Sequence, residues 1–195
     1  SPFIKGLSWW RGAVITMDLP QPLEFELAPY QPASPDEAQY MGAIIYTNPP
    51  LWRDDFIQAV RDCGVSNFET FDVKIINPTN AALIQELVAE GVSYLDNSYV
   101  DAGGVFTNYK AVNILGLIAA ADMDESVATV HDGIPLIDVD FDELVVDETK
   151  TLGVKLFRLA ESTNAILVDE TLRDALIEKG FGADITFYNL KEAAI

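Results

Sequence analysis

Apolar residues in this chain come in short blocks, many of them closed off by proline, glycine or aspartate, and this punctuation excludes most architectures. The longest block, Ile114–Ala121, falls well short of the ~18 apolar residues that a membrane-spanning helix needs. What the punctuation permits is a mixture of short strands and short helices. Hydrophobic residues make up 49% of the chain and aromatics 10%, with a mean hydropathy of +0.14, so the strands and helices can bury a core.

Periodicity assigns the blocks. Leu23, Phe25 and Leu27 alternate with Glu24 and Glu26, the period-two signature of a half-buried strand. Ala13–Met17, Ala43–Thr47, Phe68–Ile76, Val105–Ile118 (one long strand or a pair), Ile134–Val146, Lys155–Leu159, Ala165–Val168 and Ile185–Leu190 also read as strands. Three helices are expected. The first covers Leu51–Cys63, with Thr47 or Asn48 as cap, Pro49 and Pro50 in its first turn and Gly64 as its stop. The second covers Ala81–Glu90 between Asn80 and Gly91, and the third Glu170–Lys179 between Asp169 and Gly180.

Residues 43–76 and 165–190 share one order of elements: strand, polar cap, helix, glycine, strand. Gly64 aligns with Gly180, and Thr70-Phe71 with Thr186-Phe187. The polar, glycine-bearing stretch Asp96–Gly104 lies between the two. The expected fold is therefore α+β, built as two related small α/β modules over residues 1–100 and 105–195. Each would hold a mainly antiparallel sheet with one or two packed helices.

The residues offer little to chemistry. His131 is the only histidine and stands in the turn-like "HDGIP", so no base–nucleophile–orienter set can be assembled around it. Cys63 lies on the apolar side of the first expected helix and reads as a structural thiol. As the single cysteine it allows no intrachain disulfide, which fits a reducing compartment. Residues 1–10 lack the basic start and apolar stretch of a signal peptide. The expected location is the cytoplasm. "DVDFDE" at Asp138–Glu143 resembles the opening of a calcium loop, but Glu143 stands where the sharp turn needs glycine. No Cys/His cluster suggests zinc, no glycine-rich loop carries a phosphate-binding lysine, and no cofactor is implied. The expectation is a protein that is not an enzyme. A carboxylate-based hydrolase and a calcium-binding or scaffold module are the alternatives.

Charge is the most unusual property. The chain carries 31 acidic and 12 basic residues, a formal net charge of −19 and a pI near 4.1. Such a field repels nucleic acid and anionic lipid and attracts basic partners. It is also uneven. From Lys110 to Lys150 there is no intervening Lys or Arg, while Asp122, Asp124, Glu125, Asp132, Asp138, Asp140, Asp142, Glu143, Asp147 and Glu148 fall inside. All of these except Asp132 are the candidate partner-binding residues. The plain alternative is a solvated strand face.

The stretches "YKAVNILGLIAAADMDES" (Tyr109–Ser126) and "VKLFRLAESTNAILVDETLRDALIEKGFGADITF" (Val154–Phe187) resemble a family of bacterial polymorphic-toxin immunity proteins. The matching features are Tyr109, Ala111 and Asn113 of a Tyr-x-Ala-x-Asn strand, and Asp122 with Ser126 of an acidic segment. They continue with Leu156–Leu159, Val168–Glu170, and Gly180 with Phe187. Residues 44–76 look like the family's first helix–strand module. The resemblance implies a non-enzymatic antitoxin that binds a cognate secreted effector. Acidity adds that this toxin is basic, and nucleases are basic because they hold phosphate backbones. A DNase of a type VI secretion system is the expected partner.

Overall fold

The computed structural model describes residues 4–27, 42–77, 85–86, 88–91, 104–131 and 138–191. The protein is α+β, with small sheets that are rich in antiparallel pairs. It divides into two compact units, but not by one cut near Asp96–Gly104. One unit comprises Ser1–Lys5, Met17–Asp54 and Thr70–Ala111; the other comprises Gly6–Thr16, Asp55–Glu69 and Val112–Ile195. Most of the expected boundary, residues 96–103, lies outside the described residues.

The first unit holds β1 (Leu23–Glu26), β2 (Ile44–Ile45), β3 (Leu51–Arg53), most of β4 (Phe68–Asn77), β5 (Gly104–Phe106) and the start of β6 (Tyr109–Ile114). The sheet order is β1-β4-β6-β3-β2, with β5 also on β4. β1 runs parallel to β4, placing Leu23 beside Val73 and Phe25 beside Ile75; all four are buried. On the outward face Lys74 Nζ meets Glu24 at 2.9 Å. The alternation in "LEFEL" thus becomes one dry and one wet face. Lys110 bridges Asp72 at 3.0 Å and Asp54 at 3.7 Å. Its hydrogen bond to Asp72 is the main reason its pKa rises.

The second unit contains residues 6–16 and helix α1 (Asp54–Asp62, all but its first residue). It continues with β7 (Leu117–Ile118), β8 (Val127–His131), β9 (Asp138–Glu143), α2 (Glu148–Thr151), β10 (Leu156–Leu159), β11 (Ile166–Val168), α3 (Glu170–Glu178) and a 3₁₀ turn at Phe181–Ala183. β10 pairs antiparallel with β11 and parallel with β7. β8 and β9 form a separate two-stranded ribbon. Val139 and Phe141 of β9 pack into a core with Ala120, Ala121, Leu144, Phe157, Leu159, Ala165 and Leu167.

Local signals explain the helix ends. After α1, the amide of Gly64 donates to Arg61 O and that of Val65 to Val60 O, the two bonds of a Schellman cap, with Gly64 at φ +83°. At the start of α3 the carboxylate of Asp169 accepts from the Leu172 amide at 2.7 Å. The described part of the Ala81–Glu90 segment is helical at residues 85, 86, 88 and 89, with Gly91 at φ +88° after it. Asn80 lies outside the described residues.

Several expectations are corrected. Leu51–Arg53 is strand, and the helix begins only at Asp54. Leu51 and Trp52 are buried by pairing with β2 and β6, and this outweighs the prolines' preference for a helical first turn. Thr47 caps nothing: its hydroxyl donates to Pro49 O. Ala43–Thr47 keeps only Ile44–Ile45 as strand. Ala13–Met17 is not strand either; Asn113 Nδ2 donates to Ala13 O, and the Ile15 amide donates to Glu69. Nearby, the Gly116 amide donates to Gly12 O at 2.7 Å. A Cβ on Gly12 would come within 2.7 Å of the Gly116 carbonyl carbon, so the approach requires glycine. Val105–Ile118 is three strands, β5, β6 and β7.

Ile185–Leu190 is also not a strand. Phe181 packs edge-on against Phe56 at 5.2 Å and the chain turns there, with the Ile185 amide donating to Phe181 O. The two similar segments therefore part after their glycines: one continues into the long β4, the other into a 3₁₀ turn.

Candidate protein-binding surface

The acidic stretch folds around the β8–β9 ribbon. Its first part is a closed turn. Asp122 Oδ1 accepts from the amides of Asp124 and Glu125, and the Ser126 amide donates to Asp122 O. The turn is tied to the chain after β9: Asp122 N–H donates to Val145 O, and Val145 N–H donates to Ser126 Oγ at 3.0 Å. Asp122 is thus half-buried and engaged, while Asp124 and Glu125 are exposed.

On β9 the alternation expected of "DVDFDE" is present. Val139 and Phe141 face the core, and Asp140, Asp142 and Glu143 are exposed. Asp138 is the first residue of β9, opposite His131 of β8. The run is a strand with an acidic outer face, not an ion-binding loop. Among the described residues no group of three or more His, Cys, Asp or Glu could hold a metal.

His131 is likewise not in a turn; it ends β8. Its Nε2 lies 2.7 Å from Asp140 Oδ2, a pair that is ionic only when the ring is protonated. Cys63 is only partly buried, just past α1, and its carbonyl accepts from Lys155 Nζ.

Asp147 caps α2, accepting from Thr149 Oγ1 at 2.6 Å and from the Thr149 amide at 3.1 Å. The hydroxyl bond is the main reason its pKa falls below the ordinary carboxylate value, with Lys150 at 3.5 Å adding to it. Glu148 opens the helix and is exposed. Of the eight candidates whose side chains are described (all but Asp138), the fold uses Asp122 and Asp147, and His131 holds Asp140. Asp124, Glu125, Asp142, Glu143 and Glu148 are left on the surface.

Apart from Lys150 beside Asp147, several cations of this unit are engaged away from the acidic stretch. Arg173 meets Asp174 and Glu170, Lys179 meets Asp62, and Lys155 meets the Cys63 carbonyl. Arg158, in the "LFRL" strand, is buried; Nη1 donates to Thr163 O and the guanidinium lies 5.1 Å from the Trp10 ring centroid. Burial pushes its pKa down to about 10.

Sequence reasoning missed β8 altogether. "VATVH" is short and lacks clear alternation, and four of its five residues are exposed, including Val127 at 50% and Val130 at 53%. It also missed Leu152, 89% exposed at φ +53°, a backbone region that leucine rarely enters.

The motifs behind the family resemblance prove to be structural. Tyr109 Oη donates to Gly42 O, Ala111 is buried, Asn113 is buried with its amide donating to Glu69, and Asp122 and Ser126 close their turn. No family model matches the chain, and no curated protein matches it. No helix among the described residues is long and apolar enough to cross a membrane.

Proposed function

We propose that this chain is an immunity protein: it binds a cognate secreted bacterial toxin, a basic nuclease of DNase type delivered by a type VI system, and neutralises it in the cytoplasm of the producer and its kin. The supporting observation is the ribbon's acidic surface, where Asp124, Glu125, Asp142 and Glu143 are exposed in a stretch without lysine or arginine. Clustered negative charge speeds association with a cationic partner, and close charge pairs can then couple by about 1.5–7 kcal/mol. A nuclease cleft shaped for phosphate is a cationic partner of this kind. The chain needs no catalytic group for this task.

The proposal expects a basic nuclease to be encoded beside this chain's gene, and the test uses the protein encoded there. Co-expression of the chain is expected to restore growth and block DNA cleavage. The triple variant D124K/D142K/E143K is expected to associate on the order of ten-fold more slowly at low salt. That gap should close near 1 M salt, where screening acts within about 3 Å. If growth is not restored and the two proteins do not bind, the proposal fails.

A further inference from the structure

Resting on that reading, we infer that the open edge of β8 is a docking strand. Its occupant is an extended segment of the partner that alternates apolar and basic residues and adds to the ribbon as a third strand.

The ribbon has one guarded edge and one open edge. Along β9, the Val139 amide donates to Glu161 O, and the Leu144 amide just beyond the strand donates to Leu190 O. β8 has no strand partner except β9 among the described residues. A strand edge that no described strand covers is a template for another chain, which proteins usually blunt with lysine or proline. β8 has neither; the ribbon's register shift between Val127 and Ala128 comes from an extra residue, Asp142, on β9. Two strands alone are also marginal, and a third would add the missing ladder.

Register defines the occupant's chemistry. Cross-strand neighbours share a face. Ala128 lies opposite Phe141 and Val130 opposite Val139, so Val130 belongs to the core face, yet it is 53% exposed, and among the described residues no strand pairs with β8 on its other side. An apolar residue of a third strand would cover it. Thr129 lies opposite Asp140 on the outer face, next to Asp142. Adjacent strands lie about 4.8 Å apart, so lysine or arginine on a third strand stands roughly 10 Å from those carboxylates before its side chain leans in. Charge also decides against a second copy of this chain, since net −19 repels it.

The experiment titrates the full chain with the peptide Lys-Val-Lys-Val-Lys-Val-Lys and with the same peptide N-methylated at every internal residue, while following amide exchange. The inference requires slowed exchange at residues 128–130 and binding about ten-fold weaker for the methylated peptide. V130K, a change at an exposed position, should weaken the unmethylated peptide similarly. Equal binding of both peptides, no binding at millimolar concentration, or slowing confined to other strands overturns it. Slowing that grows with chain concentration alone also overturns it, because the occupant would then be a second copy. If the toxin binds and β8 exchange does not change, docking at β8 is wrong while the immunity reading stands. If the toxin does not bind at all, the immunity reading fails, and the peptide result still decides what β8 can accept.

Discussion

β6, Tyr109–Ile114, and β8, Val127–His131, are both short strands that mix valine and alanine with polar residues. In β6, Tyr109, Ala111, Val112, Asn113 and Ile114 are all at most 1% exposed, so both faces are covered. In β8 only Ala128 is even partly buried. Composition does not separate them. β6 lies between β4 and β3, whereas β8 has one neighbour among the described residues. Position in the sheet therefore converts similar residues into core in one case and into an apolar edge ringed by carboxylates in the other. This is why we place the proposed partner on the ribbon rather than on the sheet.

The largest effect should come from placing the same charge on both strands. V112D buries a carboxylate in a closed site and is expected to cost more than about 4 kcal/mol, enough to prevent folding. V130D should shift stability by no more than about 0.5 kcal/mol. Urea unfolding compares them, and similar losses would mean that β8 is as buried in solution as β6.

Leu152 sharpens the contrast between residues kept for packing and residues kept for another reason. It combines 89% exposure with a left-handed backbone, where a leucine side chain costs on the order of 1 kcal/mol. L152G is expected to raise stability by up to about that amount, seen as a higher urea midpoint with an unchanged slope. A lower midpoint would show that the side chain packs against something.

The smallest effect concerns Asp147. Its folded pKa lies below the ordinary 3.8, chiefly through the Thr149 hydroxyl. Its contribution is fully present above 3.8 and is lost as pH falls through the lower folded value. The Thr149 amide resonance should titrate in that acid window, and D147N should abolish the transition. A midpoint at or above 3.8 would contradict the cap.

Much of this was legible in the residues. Glycine stops at Gly64 and Gly180, the cap at Asp169 and the alternation of β1 and β9 act within a turn or a few residues, and each appears where the sequence places it. The acidity of residues 122–148 was equally plain. The failures are cases where a distant partner outweighed a local preference. The Pro49-Pro50 helix start yielded to pairing of Leu51–Arg53 with Tyr109–Ala111, and the closing strand at Ile185 yielded to packing of Phe181 on Phe56.

The sequence by itself determined the α+β class, the glycine stops and the Asp169 cap of the helices, and the sign of the surface field, because propensity, capping and net charge are properties of neighbouring residues or of their sum. Only the tertiary structure decided which carboxylates the fold consumes. Asp122 and Asp147 bind nearby backbone amides, Asp140 binds His131, and Asp142 and Glu143 are left to the solvent. It also decided that a strand invisible in the sequence has one strand neighbour among the described residues, because an edge exists only once every other strand has taken its place.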